Sequence, residues 1–93
     1  AMRIGHAQLD SQLDDFDGNL AKVVAGMERA DRERVDVVSF PECFLTGYPD
    51  GGDVARRGAF KIDGPQIMRL LDATSKFEAA GIVGFNELRG DDP

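Results

Sequence analysis

The residue best placed to do chemistry is Glu42. It stands in the run Phe40-Pro41-Glu42-Cys43-Phe44-Leu45-Thr46-Gly47-Tyr48-Pro49, directly after a β-branched stretch. Apolar neighbours strip water from a carboxylate and weaken its preference for the charged form, which brings such a group nearer the pH at which it serves as a general base. With Phe40, Cys43, Phe44 and Leu45 around it in sequence, Glu42 is the candidate base. A rim carboxylate that caps a turn or pairs with a nearby arginine fits the same spacing.

The other reactive side chains are read more plainly. In extended chain adjacent side chains point to opposite sides, so Cys43 is poorly placed to share a proton with Glu42, and a small buried hydrophobe is expected there. Lys61 reads as a surface lysine. Glu87 could line the same rim as Glu42, although a solvated strand-end carboxylate is the simpler reading. His6 has no second ligand at a recognisable spacing, so it is expected to be a hydrogen-bonded core residue and not a metal ligand. Asp50 and Asp53 flank Gly51-Gly52 without the further oxygen ligands of a calcium loop, and are read as a turn. No G-x-G-x-x-G follows the first apolar run and no phosphate-loop lysine occurs, so dinucleotide and ATP binding have no motif. Neither a metal nor an organic cofactor is expected.

The elements that must position these groups follow from apolar periodicity. Met2 to Leu9 reads as a buried first strand. Phe16, Leu20, Val23, Val24, Met27 and Ala30 form one helical face, capped by Asp15 or Asp17, with the charged run from Glu28 to Arg34 as its solvated end. Val35 to Phe40 is a second strand, stopped by Pro41. From Thr46 to Gly58 the chain reads mostly as loop, with at most a short helix at Val54 to Arg57. Gly64-Pro65 opens a second amphipathic helix with Ile67, Leu70, Leu71, Thr74 and Phe77 as its buried stripe, Gly81 as its left-handed C-cap, and Ile82 to Phe85 as a third strand. The order β-α-β-loop-α-β predicts an α/β fold with a parallel or mixed sheet. In such sheets ligands sit beyond the carboxyl ends of the strands, where Glu42 lies.

Composition narrows the function classes. The chain has 93 residues, 42% of them hydrophobic and 30% charged, with a net charge of −6. That bounds it to one domain at most, with a modest core. The acidic balance argues against nucleic acid and against an anionic membrane as partners. One cysteine excludes an internal disulfide and suits a reducing, cytoplasmic setting. No apolar run approaches the roughly 18 to 20 residues of a membrane helix.

Taken together, Arg3-Ile4-Gly5-His6-Ala7-Gln8-Leu9, the amphipathic helix, Val37-Val38-Ser39-Phe40-Pro41-Glu42 and Leu45-Thr46-Gly47-Tyr48 resemble the N-terminal part of the nitrilase superfamily of carbon-nitrogen hydrolases. Gly81-Ile82-Val83-Gly84-Phe85-Asn86-Glu87 is similar to that family's third strand. The resemblance implies the β-α-β-α-β opening of a four-layer α-β-β-α sandwich, with a Glu, Lys, Cys triad acting on a small non-peptide amide or, less favoured, a nitrile. The base's role falls on Glu42. The family's Lys and Cys lie past its third strand, so residues 1–93 are expected to be the N-terminal part of a hydrolase domain, inactive alone and prone to associate through uncovered apolar faces. The complete protein is expected to be a homo-oligomer. The competing class is a stand-alone small α/β binding or interaction module, in which Glu42 is a rim carboxylate and the Gly47 to Gly58 loop grips a ligand.

Overall fold

The computed structural model describes residues 1–13, 15–47, 58–85 and 87–88. Its elements run β1 (Ile4–His6), α1 (Phe16–Arg32), β2 (Val37–Ser39), α2 (Pro65–Thr74) and β3 (Ala80–Ile82). The three strands form one parallel sheet in the order β1-β2-β3. This is the expected α/β arrangement, with β1 and β2 shorter than expected, β1 exposed where a buried strand was expected, and β3 starting at Ala80, two residues before the expected Ile82 to Phe85, of which only Ile82 is in the strand. The expected helix at Val54 to Arg57 and the turn at Asp50 and Asp53 lie outside the described residues. Among the described residues no helix is long and apolar enough to cross a membrane.

Helix α1 starts where the Asp15 carboxylate accepts the Gly18 N–H at 3.1 Å, which satisfies one of the orphan donors of the first turn. Its apolar stripe, Leu20, Val23, Met27 and Ala30, is buried against one face of the sheet together with Val38 and Phe40. Glycines let the layers approach. A Cβ on Gly26 would meet the Phe40 ring at 2.8 Å, and one on Gly81 would meet Met27 Sδ at 2.9 Å.

Gly81 therefore has a different role from the helix C-cap expected of it. It sits within β3, opposite Val38, beneath Met27. Helix α2 ends earlier, at Thr74, where Thr74 Oγ1 donates to Leu70 O at 2.7 Å and Ser75 Oγ to Asp72 O at 3.0 Å. Phe77 falls beyond the helix, and Leu71, expected in the buried stripe, is 59% exposed while Ile67 carries the contact.

Both crossovers step the same way across the sheet, which under the right-handed rule puts both helices on one face. Helix α2 packs along α1, where Arg69 bonds Asp17 at 2.7 Å and lies over the Phe16 ring. Phe16 meets Phe60 edge-on, and Phe60 stacks on Phe85 at 4.9 Å between centroids. The other face of the sheet is open. Register and pleat send Ile4, His6, Val37, Ser39, Ala80 and Ile82 to that side, where Ile4 is 74% and Ile82 61% exposed.

The approach to β3 is fixed from the far end of α1. The Asp31 carboxylate accepts the N–H groups of Glu78 at 3.1 Å and Ala79 at 2.9 Å. Asp31→Ala leaves these donors to solvent and is expected to lower stability by about 1 to 2 kcal/mol, read as a drop in the urea midpoint at unchanged slope.

Candidate functional site

The site is built on the chain that leaves β2. Phe40 N–H donates to Ile82 O at 3.0 Å, the bond that completes the Ser39–Ile82 pairing at the end of β2. Pro41 can make no such bond, and the backbone departs from the sheet. Residues 42–46 form a tight turn in which Phe44 N–H donates to Pro41 O at 3.2 Å and Gly47 N–H to Cys43 O at 2.8 Å. Cys43 takes the left-handed conformation, φ 54°, which is uncommon for a residue with a side chain. That reversal sends Phe44 and Leu45, both fully buried, into the core and leaves Glu42 outside.

Glu42 is accordingly exposed. Its sequence neighbours do not enclose it as expected, because the turn directs their apolar side chains to the core. Cys43, expected to be buried, is half-buried. Burial holds its thiol above the ordinary range, and the negative charge of Glu42 adds to the effect. The thiol form dominates at neutral pH, so Cys43 is a poor nucleophile unless a base takes its proton.

Three further attachments hold the turn. Leu45 N–H donates to Gly84 O at 3.1 Å, which ties it to the chain leaving β3. Thr46 is buried, and its hydroxyl lies 3.3 Å from Cys43 O and 3.2 Å from Gly47 O. Asn19, fully buried in the first turn of α1, donates from Nδ2 to Leu45 O at 3.3 Å and to Gln12 O at 2.7 Å, while its Oδ1 accepts Gln12 N–H at 2.8 Å. Gly47, φ 82°, closes the turn against the β1–α1 loop, where an added Cβ would lie 2.5 Å from Leu13 Cα.

The other sequence candidates fall elsewhere. His6 is hydrogen-bonded but not in the core: it is exposed on the open face, with Nδ1 2.7 Å from Ser39 Oγ. Lys61 is exposed. Glu87 is half-buried, its backbone bridged in parallel to Phe60. No group of three or more His, Cys, Asp or Glu among the described residues could hold a metal ion. A cleft of about 580 Å³ lies between β1 and α1, lined by Gly5, Ala7, Ala25, Gly26 and Arg29 among others, and no residue of the Glu42 turn borders it.

Sequence reasoning missed Asn19. The signal was available: Asn19 lies three residues after Phe16 and four before Val23, on the apolar stripe of α1. A polar residue at that position must find partners inside.

Among known proteins, the family model described as carbon-nitrogen hydrolase matches residues 3–93. A glutamine-dependent NAD(+) synthetase of Thermotoga maritima is 30% identical over 84 residues, covering 90% of this chain and 15% of its own length. An aliphatic nitrilase of Rhodococcus rhodochrous is 32% identical, covering 74% of this chain and 22% of its own. A nitrilase of Talaromyces marneffei is 24% identical, covering 96% of this chain and 31% of its own. The chain thus spans less than a third of each of these relatives. No solved structure matches it.

Two measurements check the turn. Gly47→Ala combines a left-handed backbone with a backbone clash, and is expected to cost about 2 to 3 kcal/mol, seen as a lowered melting temperature. For Cys43, alkylation by iodoacetamide should be slow at pH 7 and quicken above the usual thiol range. Glu42→Gln removes the charge that opposes the thiolate, so its rate profile should move to lower pH; an unmoved profile would separate the two side chains.

Proposed function

Because the chain belongs to the carbon-nitrogen hydrolase family, we propose that it supplies Glu42 as the general base of a hydrolase acting on a small non-peptide amide. The observation that carries this reading is the exposed carboxylate at the carboxyl end of β2, on a turn anchored to α1 and to the chain leaving β3. Ligands of parallel α/β sheets gather at that end.

In the complete protein a cysteine thiol and a lysine, which the family places after the third strand, join Glu42. Glu42 takes the thiol proton as sulfur attacks the amide carbon, and the lysine steadies the oxyanion. The C–N bond breaks as that proton passes to the leaving amine, and a thioester remains. Water then gives a proton to Glu42 and adds to the thioester. The C–S bond breaks, the carboxylic acid departs, and the thiol is restored. Cys43 is not assigned this role, since the family's cysteine lies after the third strand and Cys43 belongs to the turn that carries Glu42.

An amide is preferred to a nitrile as the substrate class. The Thermotoga maritima relative is named for glutamine, which carries a side-chain amide; the two nitrilases supply the runner-up. On this reading the complete protein is a cytoplasmic homo-oligomer that needs neither metal nor organic cofactor, and an acidic chain with net charge −6 suits a small-molecule substrate better than nucleic acid or an anionic membrane.

The test is a panel of small amides and nitriles. In the complete protein Glu42→Gln should lower kcat/KM by at least about 10²-fold, while residues 1–93 alone turn over nothing. Hydrolysis by the 93-residue chain that Glu42→Gln abolishes would defeat the reading that further catalytic groups are required.

A further inference from the structure

We infer that Asn19 is a positioning residue for the hydrolytic reaction, acting through the turn that carries Glu42. The inference rests on Glu42 being the base. It begins with how few orientations the Asn19 amide has. The side chain is fully buried, and Gln12 engages it at two points, N–H to Oδ1 at 2.8 Å and O from Nδ2 at 2.7 Å. This pairing fixes the amide plane. A carboxamide nitrogen carries two hydrogens, and with one committed to Gln12 O the other can serve only the acceptor that lies in its direction, Leu45 O at 3.3 Å.

Leu45 O is the outlet through which that fixed plane reaches Glu42. Leu45 N–H is held by Gly84 O from the β3 side, so both polar groups of this residue are tied, one to each neighbouring element. Upstream, Phe40 N–H is held by Ile82 O. Glu42 therefore sits on a short span of chain pinned at both ends, and the downstream pin against α1 is Asn19. Helix α1 is the long rigid element of the described residues, its side chains packed on the sheet. A base must stay within hydrogen-bond reach of the proton it takes, and displacement by about 1 Å can cost on the order of 10²-fold in rate. Loss of the Asn19 bond leaves the Leu45 carbonyl without that partner and frees the downstream half of the turn to shift.

Two variants separate these contacts. Asn19→Ala removes all of them. Asn19→Asp keeps the shape and an acceptor for Gln12 N–H, but turns an oxygen toward the carbonyls of Gln12 and Leu45. Both are made in the complete protein, alone and combined with Glu42→Gln. Kinetics are measured on the amide hydrolysed best, well below each variant's melting temperature. Either Asn19 variant should lower kcat by about 10- to 100-fold with KM changed by less than about threefold, as expected when binding groups are untouched. In the Glu42→Gln background the same change should cost less than about threefold, because residues acting through one group are not additive.

The outcomes are distinct. Full turnover by Glu42→Gln removes the base reading, and this inference with it. Loss of turnover in Glu42→Gln, with Asn19 variants that are unimpaired or whose effect is the same in both backgrounds, leaves the base reading standing and overturns the role of Asn19. If neither Asn19 variant yields folded protein, Asn19 belongs to the fold alone and the inference is likewise overturned.

Discussion

A parallel strand followed directly by an exposed carboxylate faces a physical difficulty. The chain must leave the sheet at once, yet every backbone group it buries in leaving must find a partner. Here the difficulty is met at one buried point, the Asn19 carboxamide, where the β1–α1 loop, the first turn of α1 and the turn after β2 share hydrogen bonds. The desolvated amide can be tolerated only because each of its polar atoms is used, and no buried side-chain nitrogen or oxygen among the described residues lacks a partner. Phe44 and Leu45 supply the apolar counterpart, since both are fully buried beneath the same turn. Exposure of Glu42 is a consequence of this arrangement. A left-handed Cys43 spends backbone strain to put two large side chains inward and one carboxylate outward.

The sheet divides the molecule into a finished face and an unfinished one. On the α1 side, small residues at Gly26 and Gly81 bring helix and strands close enough for Met27 and Phe40 to pack. On the other side Ile4 and Ile82 stand exposed around the His6–Ser39 hydrogen bond. A chain that spans less than a third of the relatives it matches has an apolar face of this kind where the family's sandwich sets a second sheet. Covering such a face contributes about 25 cal/mol per Å² of apolar surface removed from water.

Long-period features were legible in the sequence and short-range competition was not. The α1 stripe from Leu20 to Ala30, the Asp15 cap and the stop at Pro41 could be read because each has a local cause. β1 and β2 are shorter than their apolar runs, and β3 is displaced from its own, because apolar sequence reports burial, whereas pairing is set by register: Val35 and Phe40 are buried or half-buried yet are not among the paired residues of β2. Gly81 misled because a glycine near a helix end and a glycine under a methionine look alike in one dimension. Glu42 was found by type and place, but its exposure could not be read, since that depends on the φ of Cys43 and on Asn19, 26 residues from Leu45.

On the proposed reading, the turn after β2 presents Glu42 to the reacting atoms as their general base. That reading is tested most directly by a crystal structure of the complete protein trapped as its covalent acyl-enzyme. The account predicts a Glu42 carboxylate oxygen within about 3.2 Å of the attacking sulfur or of the water poised over the thioester, on a turn still bonded from Asn19 Nδ2 to Leu45 O. An acyl group on Cys43, or a Glu42 carboxylate turned away from the thioester into solvent, would contradict it.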